Sequence, residues 1–209
     1  MTASPAKEDP DALGAVQRLL QQGEVAKALE TLNGLADAAQ SSVMGQYMRG
    51  VCLRLMGEFA NAESALRQLV EGNPSYGRAF QELGHLYRDA NMPTEALNAY
   101  ATACHLNPGL KASWAAQRDL IGKGSPERAA QINQRLKWLE SLPPALLASW
   151  DLLHEGKLHK AEQLCRQFMR QNPQHIDGMR VLAEIATRHG VLEDAEFLLE
   201  SAVEFEPEH

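Results

Sequence analysis

Apolar and polar residues alternate along the chain in blocks of helical period, and the blocks themselves recur. The stretch "GEFANAESALRQLVEGNP", from Gly57, and the stretch "NMPTEALNAYATACHLNP", from Asn91, carry small, apolar and charged residues at matching offsets. Pro74 and Pro108 lie 34 residues apart, as do Ala62 and Ala96. One period back is Ala28 and one forward is Ala130; a 31-residue step then leads to Ala161, and 34 more to Ala195. Self-similarity at such a period marks a repeat architecture, so it takes precedence over any local motif.

The other positions of the period predict what each unit is. One slot is always apolar: Ala36, Val70, Cys104, Trp138, Met169 and Val203. A second holds Leu32, Leu66, Tyr100, Cys165 and Leu199. A third holds Asp37, Glu71, His105, Leu139, Arg170 and Glu204, mostly a solvated helix face. Gly23, Gly57, Asn91, Ser125, Gly156 and Gly190 share a turn slot, where helix C-terminal or N-cap residues belong. Gln40, Pro74, Pro108, Leu142, Pro173 and Pro207 share the last slot, and a proline there stops a helix. The small residues of the alanine slot let two helices approach closely. Each unit therefore reads as helix, short turn, helix.

The unit from Gly77 contains "FQELGHLY", with Phe80, Leu83, Gly84 and Tyr87, followed by Ala96, Tyr100 and Pro108. In this it resembles the tetratricopeptide repeat, with Phe80 for the usual tryptophan and Tyr100 for the usual phenylalanine. The resemblance runs over residues 9–209 and implies an all-α fold: a right-handed superhelical solenoid of stacked αα-hairpins, with first helices on the concave side. Its six approximate repeats are 9–42, 43–76, 77–110, 111–141, 142–175 and 176–209, after a flexible tail, 1–8. The first carries Val16 in the glycine slot and ends at Gln40. The fourth is degenerate, with Gln117 and Arg118 where leucine and glycine belong, and it is three residues short. Trp114, Trp138 and Trp150 all fall in this irregular stretch, either as space-fillers where the register changes or as a binding or dimerisation patch.

Composition narrows the partners. A formal net charge of -7 and the lack of a basic, aromatic stripe argue against nucleic acid and anionic membrane. The amino-terminal "MTASPAKEDP" has no apolar export core, and no transmembrane run follows. Three cysteines without a CxxC pair favour a reducing compartment, so cytoplasm is expected.

Candidate chemistry is sparse. Cys104 and His105 are adjacent, but neighbours on a helix point about 100° apart, and Cys104 sits in the apolar slot. Cys52 shares its slot with Leu86, Leu120 and Ile185, and also with Arg18 and Asp151. In "HEGKLH" the histidines, His154 and His159, are five apart around Gly156, where a zinc-protease helix needs four. "GKGSPER", from Gly122, places Ser125 and Pro126 at a helix start but lacks the P-loop order. No catalytic residue, cofactor or metal ligand is assigned, and the chain is read as no enzyme.

The family resemblance implies that ligands lie along the first helices. Those stripes are Met44, Tyr47, Val51 and Arg54 in the second repeat, and Arg78, Gln81, His85 and Arg88 in the third. Three arginines on an acidic protein suggest an acidic or carboxylate-bearing peptide. The chaperone-tail subgroup of the family is a poor match: of Leu13, Gln17, Met48, Arg78 and Glu82, only Arg78 has a suitable charge. In the sixth repeat, Asp177, Arg180, Glu184 and Arg188 alternate in sign, as a solvated, salt-linked face would. The expected function is a protein–protein interaction or scaffold module that holds a peptide or partner protein in its groove.

A second expectation rests on "AEIATRHGVLEDAEFLLESAVEFEP", which is similar to the repeat arrays preceding a sulfotransferase domain in some bacterial proteins. Because Pro207 falls two residues before His209, no polar capping helix follows the sixth unit. The natural protein is thus expected to continue past His209, or to self-associate through its uncapped last repeat.

Overall fold

A computed structural model describes residues 12–205; the amino-terminal tail and Pro207 lie outside this range. Among the described residues there are thirteen α-helices and no strand. They divide into two compact units, with the boundary at Thr102.

The first unit holds α1 (Ala12–Gln21), α2 (Val25–Asn33), α3 (Asp37–Ser41), α4 (Val43–Leu55), α5 (Phe59–Gly72), α6 (Gly77–Asp89) and most of α7 (Pro93–Leu106). Helices α1 and α2 form one hairpin and α4 and α5 the next; α4 also touches α1 and α6, so first helices neighbour first helices. Val16, Ala28, Leu32, Met48 and Cys52 make one core, and Leu69, Tyr76 and Ala79 another. The second unit holds α8 (Lys111–Ile121), a 3₁₀ turn (Gly122–Gly124), α9 (Pro126–Ser141), α10 (Pro144–His154), α11 (Leu158–Gln171), α12 (Ile176–His189) and α13 (Leu192–Phe205). There α10 packs on α11, α11 on α12 and α12 on α13, around Leu146, Leu153, Ala161, Cys165, Val181, Leu182 and Ile185.

The turn slot is backbone chemistry. Gly23, Gly57, Gly156 and Gly190 have φ between 75° and 78°, and Asn91, which tolerates the left-handed region, has φ 59°. A left-handed residue reverses the chain between the two helices of each hairpin. The fourth unit breaks the rule. Ser125 is extended at φ -147°, its hydroxyl caps nothing, and the positive φ has moved back to Gly122. Helix α8 therefore stops at Ile121, four residues before the turn slot.

Close helix approach follows from the glycine slot. A Cβ on Gly84 would sit 2.6 Å from the ring of Tyr100, and one on Gly50 would sit 2.5 Å from Leu66. Tyr100 and Leu66 are fully buried as a result. In the fourth unit the two partners are Arg118, ion-paired to Asp119, and Gln134, which is exposed. The first repeat also differs at its end. Gln40, in the proline slot, donates to the carbonyls of Asn33 and Leu35, and its own carbonyl accepts from Arg49. A side-chain amide thus closes α2, and α3 is an extra turn that the sequence pattern does not announce.

Candidate functional site

Two first-helix stripes can be built from the residues upward. The first runs along α4 and α6, where all eight expected groove residues lie. Met44 and Tyr47 pack on the first core, and Tyr47 meets Tyr76 edge-on at 5.8 Å. Val51, Arg78 and Gln81 are half-buried. Arg54 Nε donates to Glu82 Oε1 at 2.5 Å and its Nη1 to Asp89 Oδ2 at 2.7 Å. The Arg54 and Glu82 side chains are only 13% and 5% exposed. Burial works against the Arg54 charge, but the two carboxylates outweigh it and hold the guanidinium above its usual range. Asp89 also accepts from Arg88, and the two arginines keep it below the usual carboxylate range despite its partial burial.

His85 completes this internal network. Its Nδ1 lies 2.6 Å from the Tyr100 hydroxyl and its Nε2 3.4 Å from the Gln81 amide. Burial, with Arg54 and Arg88 nearby, lowers His85 to about 4, so it is neutral at physiological pH. Burial likewise raises Tyr100 to about 12. The cationic stripe expected from three arginines is therefore largely neutralised. Arg54 is committed to Glu82 and Asp89, and Arg88, still half in solvent, leans on Asp89. Asp89 was invisible to the stripe reading because it points to a neighbouring helix and not along its own.

The second stripe lies in the other unit, on α10 and α12. Leu146 and Trp150 on α10, and Asp177, Arg180, Glu184 and Thr187 on α12, occupy the slots that Tyr47, Val51, Met44 and their counterparts fill earlier. With Arg135 and Trp138 from α9 they line a pocket of about 760 Å³. Trp138 and Trp150 meet edge to face at 5.3 Å. The Arg135 guanidinium carbon stands 4.2 Å from the Trp138 ring centre and 5.4 Å from that of Trp150. Burial, and then Arg180, lower Arg135 below its ordinary value, while the ring faces offset part of that cost.

Two donors here have no acceptor among the described residues: Arg135 Nε and Trp150 Nε1, both buried. Such orphans each cost on the order of 1–3 kcal/mol. The α12 charges partly satisfy one another, Asp177 with Arg180 at 3.9 Å and Glu184 with Arg188 at 3.4 Å. Glu184 also faces His154 Nε2 at 3.7 Å. Sequence reasoning read this face as solvated. Carrying the stripe positions through the 31-residue step places Trp150 and Arg180 on the first-helix stripe, but not Arg135 and Trp138, which come from α9.

The suspected chemistry elsewhere resolves as packing. Cys52, Cys104 and Cys165 are buried free thiols, and burial raises them to about 11, 12 and 12, far from a nucleophile's range. The Cys104 sulfur accepts from Gln117, while His105 is exposed.

Residues 13–78 match the family model described as tetratricopeptide repeat. Over that stretch the chain carries tetratricopeptide repeats. Among solved structures, the Pseudomonas aeruginosa PilF structure shares 16% identity over 95% of this chain and 91% of that one, with a TM-score of 0.54. The human IFIT1 dimer with PPP-AAAA shares 11% identity over 92% of this chain and 54% of that one, with a TM-score of 0.50. At these identities the likeness concerns the fold. No curated protein matches the sequence. Tetratricopeptide repeats are in general scaffolds for protein–protein interaction and not catalysts. Among the described residues no helix is long and apolar enough to cross a membrane.

Proposed function

We propose that this protein holds a partner polypeptide on its first-helix stripes, with the α9–α10–α12 pocket as the anchoring site. The supporting observation is the pair of buried, acceptor-less donors, Arg135 Nε and Trp150 Nε1, in an aromatic-walled pocket. Tryptophan and arginine in such settings are the residue types that dominate binding energy. Arg180 and the two glutamines, Gln131 and Gln134, line the same pocket and suit a carboxylate-bearing segment with an apolar side chain. On the α4–α6 stripe the acidic preference is read from half-buried Arg78 and from Arg88, which is half in solvent. The six-hairpin division of the chain, 9–209, belongs to this reading as its frame.

Peptides recovered from a random display library test it. Arg180→Glu, a change at an exposed position, and Trp150→Ala should each weaken a recovered peptide by about 30-fold, or 2 kcal/mol. Arg78→Glu with Arg88→Glu should weaken acidic peptides alone. Undiminished affinity in all of these variants would remove the stripes as the site.

Self-association is a second reading, carried by α13. Leu192, Leu199 and Val203 share one face of it and Phe197 and Phe205 lie on the other side, all 47–68% exposed, and exposed apolar surface of this kind marks interaction sites. Light scattering at two concentrations distinguishes the two: a mass independent of concentration, and unaltered by Phe197→Glu, would discard it.

A further inference from the structure

Away from the pocket, three metal-ligating side chains converge where α11 meets α12. His159 and Glu162 stand one turn apart on α11, and His189 comes from the last turn of α12. One ligand atom from each lies within 4.8 Å of the other two. His189 Nε2 is 3.7 Å from Glu162 Oε2, and the two imidazole centroids are 5.4 Å apart. Arg166 donates Nε to the other carboxylate oxygen, Oε1, at 2.8 Å. That bond fixes the carboxylate and leaves Oε2 toward His189, as outer partners of metal ligands do. Asp194 lines the same surface pocket, above a floor of Leu182, Ile185 and Leu198.

We infer that His159, Glu162 and His189 form a binding site for a divalent cation of the zinc class. Two imidazoles and one carboxylate suit zinc and the later first-row ions, whereas calcium and magnesium take all-oxygen sets. Bonds of about 2.0–2.1 Å to a tetrahedral ion set donor atoms about 3.4 Å apart, so this trio closes by roughly 1 Å on loading. His159 is exposed and the His189 side chain is 27% exposed, so both can make that movement by side-chain rotation, with the helices in place. Three protein donors leave one position for water or for a donor from a partner. The bound ion would tie the second helix of one hairpin to the first helix of the next. A linear motif could not reveal this: His159 finds its counterpart not in His154, five residues away, but in His189, on another helix.

The test titrates zinc into the metal-free, untagged protein, with calorimetry for affinity and stoichiometry and a thermal melt for linkage. One-to-one binding is expected, with a Tm that climbs as free zinc rises above Kd. His159→Ala and His189→Ala should each lose about 10-fold or more in affinity. The metal-free Tm of His159→Ala should match the parent because its side chain is exposed, and that of His189→Ala, a side chain 27% exposed, should fall only slightly. Glu162→Gln, which keeps the shape, should also bind more weakly, and His105→Ala, an exposed histidine elsewhere, should bind as the parent does. A parent protein whose Tm ignores zinc would overturn the site. So would a zinc response that survives intact in both histidine variants.

Discussion

The stripes on α4–α6 and on α10–α12 occupy the same positions of the same repeat, yet one is closed and the other open. On α4–α6, Arg54 is clasped by Glu82 and Asp89, and His85 by Gln81 and Tyr100, so these two side chains are answered within the protein. On α10–α12, the donors of Arg135 and Trp150 face a pocket with no acceptor among the described residues. The difference traces to register. The closed stripe lies in units with a regular 34-residue period, whereas the open one follows the fourth unit, where the step shrinks to 31 and the turn residue moves from Ser125 to Gly122. A regular solenoid settles its own polar accounts; an interruption leaves groups for something else to satisfy.

The largest effect that would sharpen this contrast comes from one slot in both units. Tyr100→Ala empties a fully buried site under Gly84 and should cost about 3–5 kcal/mol in urea unfolding. Gln134→Ala, in the matching slot of the fourth unit, is exposed and should stay within about 0.5 kcal/mol of the parent. Equal costs would mean that the fourth hairpin is packed like the third.

Acidification should separate the stripes next. His85 titrates at about 4 in the folded chain and near 6.5 when unfolded, so only the unfolded chain takes up its proton between those values. Stability from this group is complete above pH 6.5, falls as pH drops from 6.5 toward 4, and levels off below. Unfolding measured across that window should show a slope that His85→Gln reduces. An unaltered slope in the variant, or a His85 proton resonance titrating near 6.5, would break the account of the closed stripe.

The turns give the smallest contrast. Gly57→Ala forces a Cβ onto φ 78°, where no neighbouring atom obstructs it, so the cost is pure backbone strain of about 1–2 kcal/mol. Ser125→Ala, at φ -147° with no capping bond, should change stability by less than about 0.5 kcal/mol. A matching loss at Ser125 would show that the fourth turn carries the same constraint as the rest.

Much of this fold was legible because the repeat forces the same physics onto recurrent residue types. The alanine slot, the left-handed turn residues and the apolar slot of Cys104 needed only their numbering. The short helix α3 was not legible, since Gln40 does with a side-chain amide what proline does elsewhere. The candidate sites were legible in part. Periodicity located the first-helix stripes, but not which charges were already spoken for, because Arg54 meets Asp89 across 35 residues. Nor could it show the open pocket, which depends on Trp138 and Arg135 from a second helix joining the stripe.

The central claim is that charge on the α4–α6 stripe is committed within the protein while charge at the α10–α12 pocket is held for a partner. Comparing the unfolding free energies of Arg54→Met and Arg135→Met tests it most directly. Removing Arg54 strands the nearly buried carboxylate of Glu82 and should cost about 3 kcal/mol. Removing Arg135 discards a desolvated charge with an orphaned N–H and should change stability by less than about 1 kcal/mol. A loss at Arg135 as large as that at Arg54 would contradict the claim.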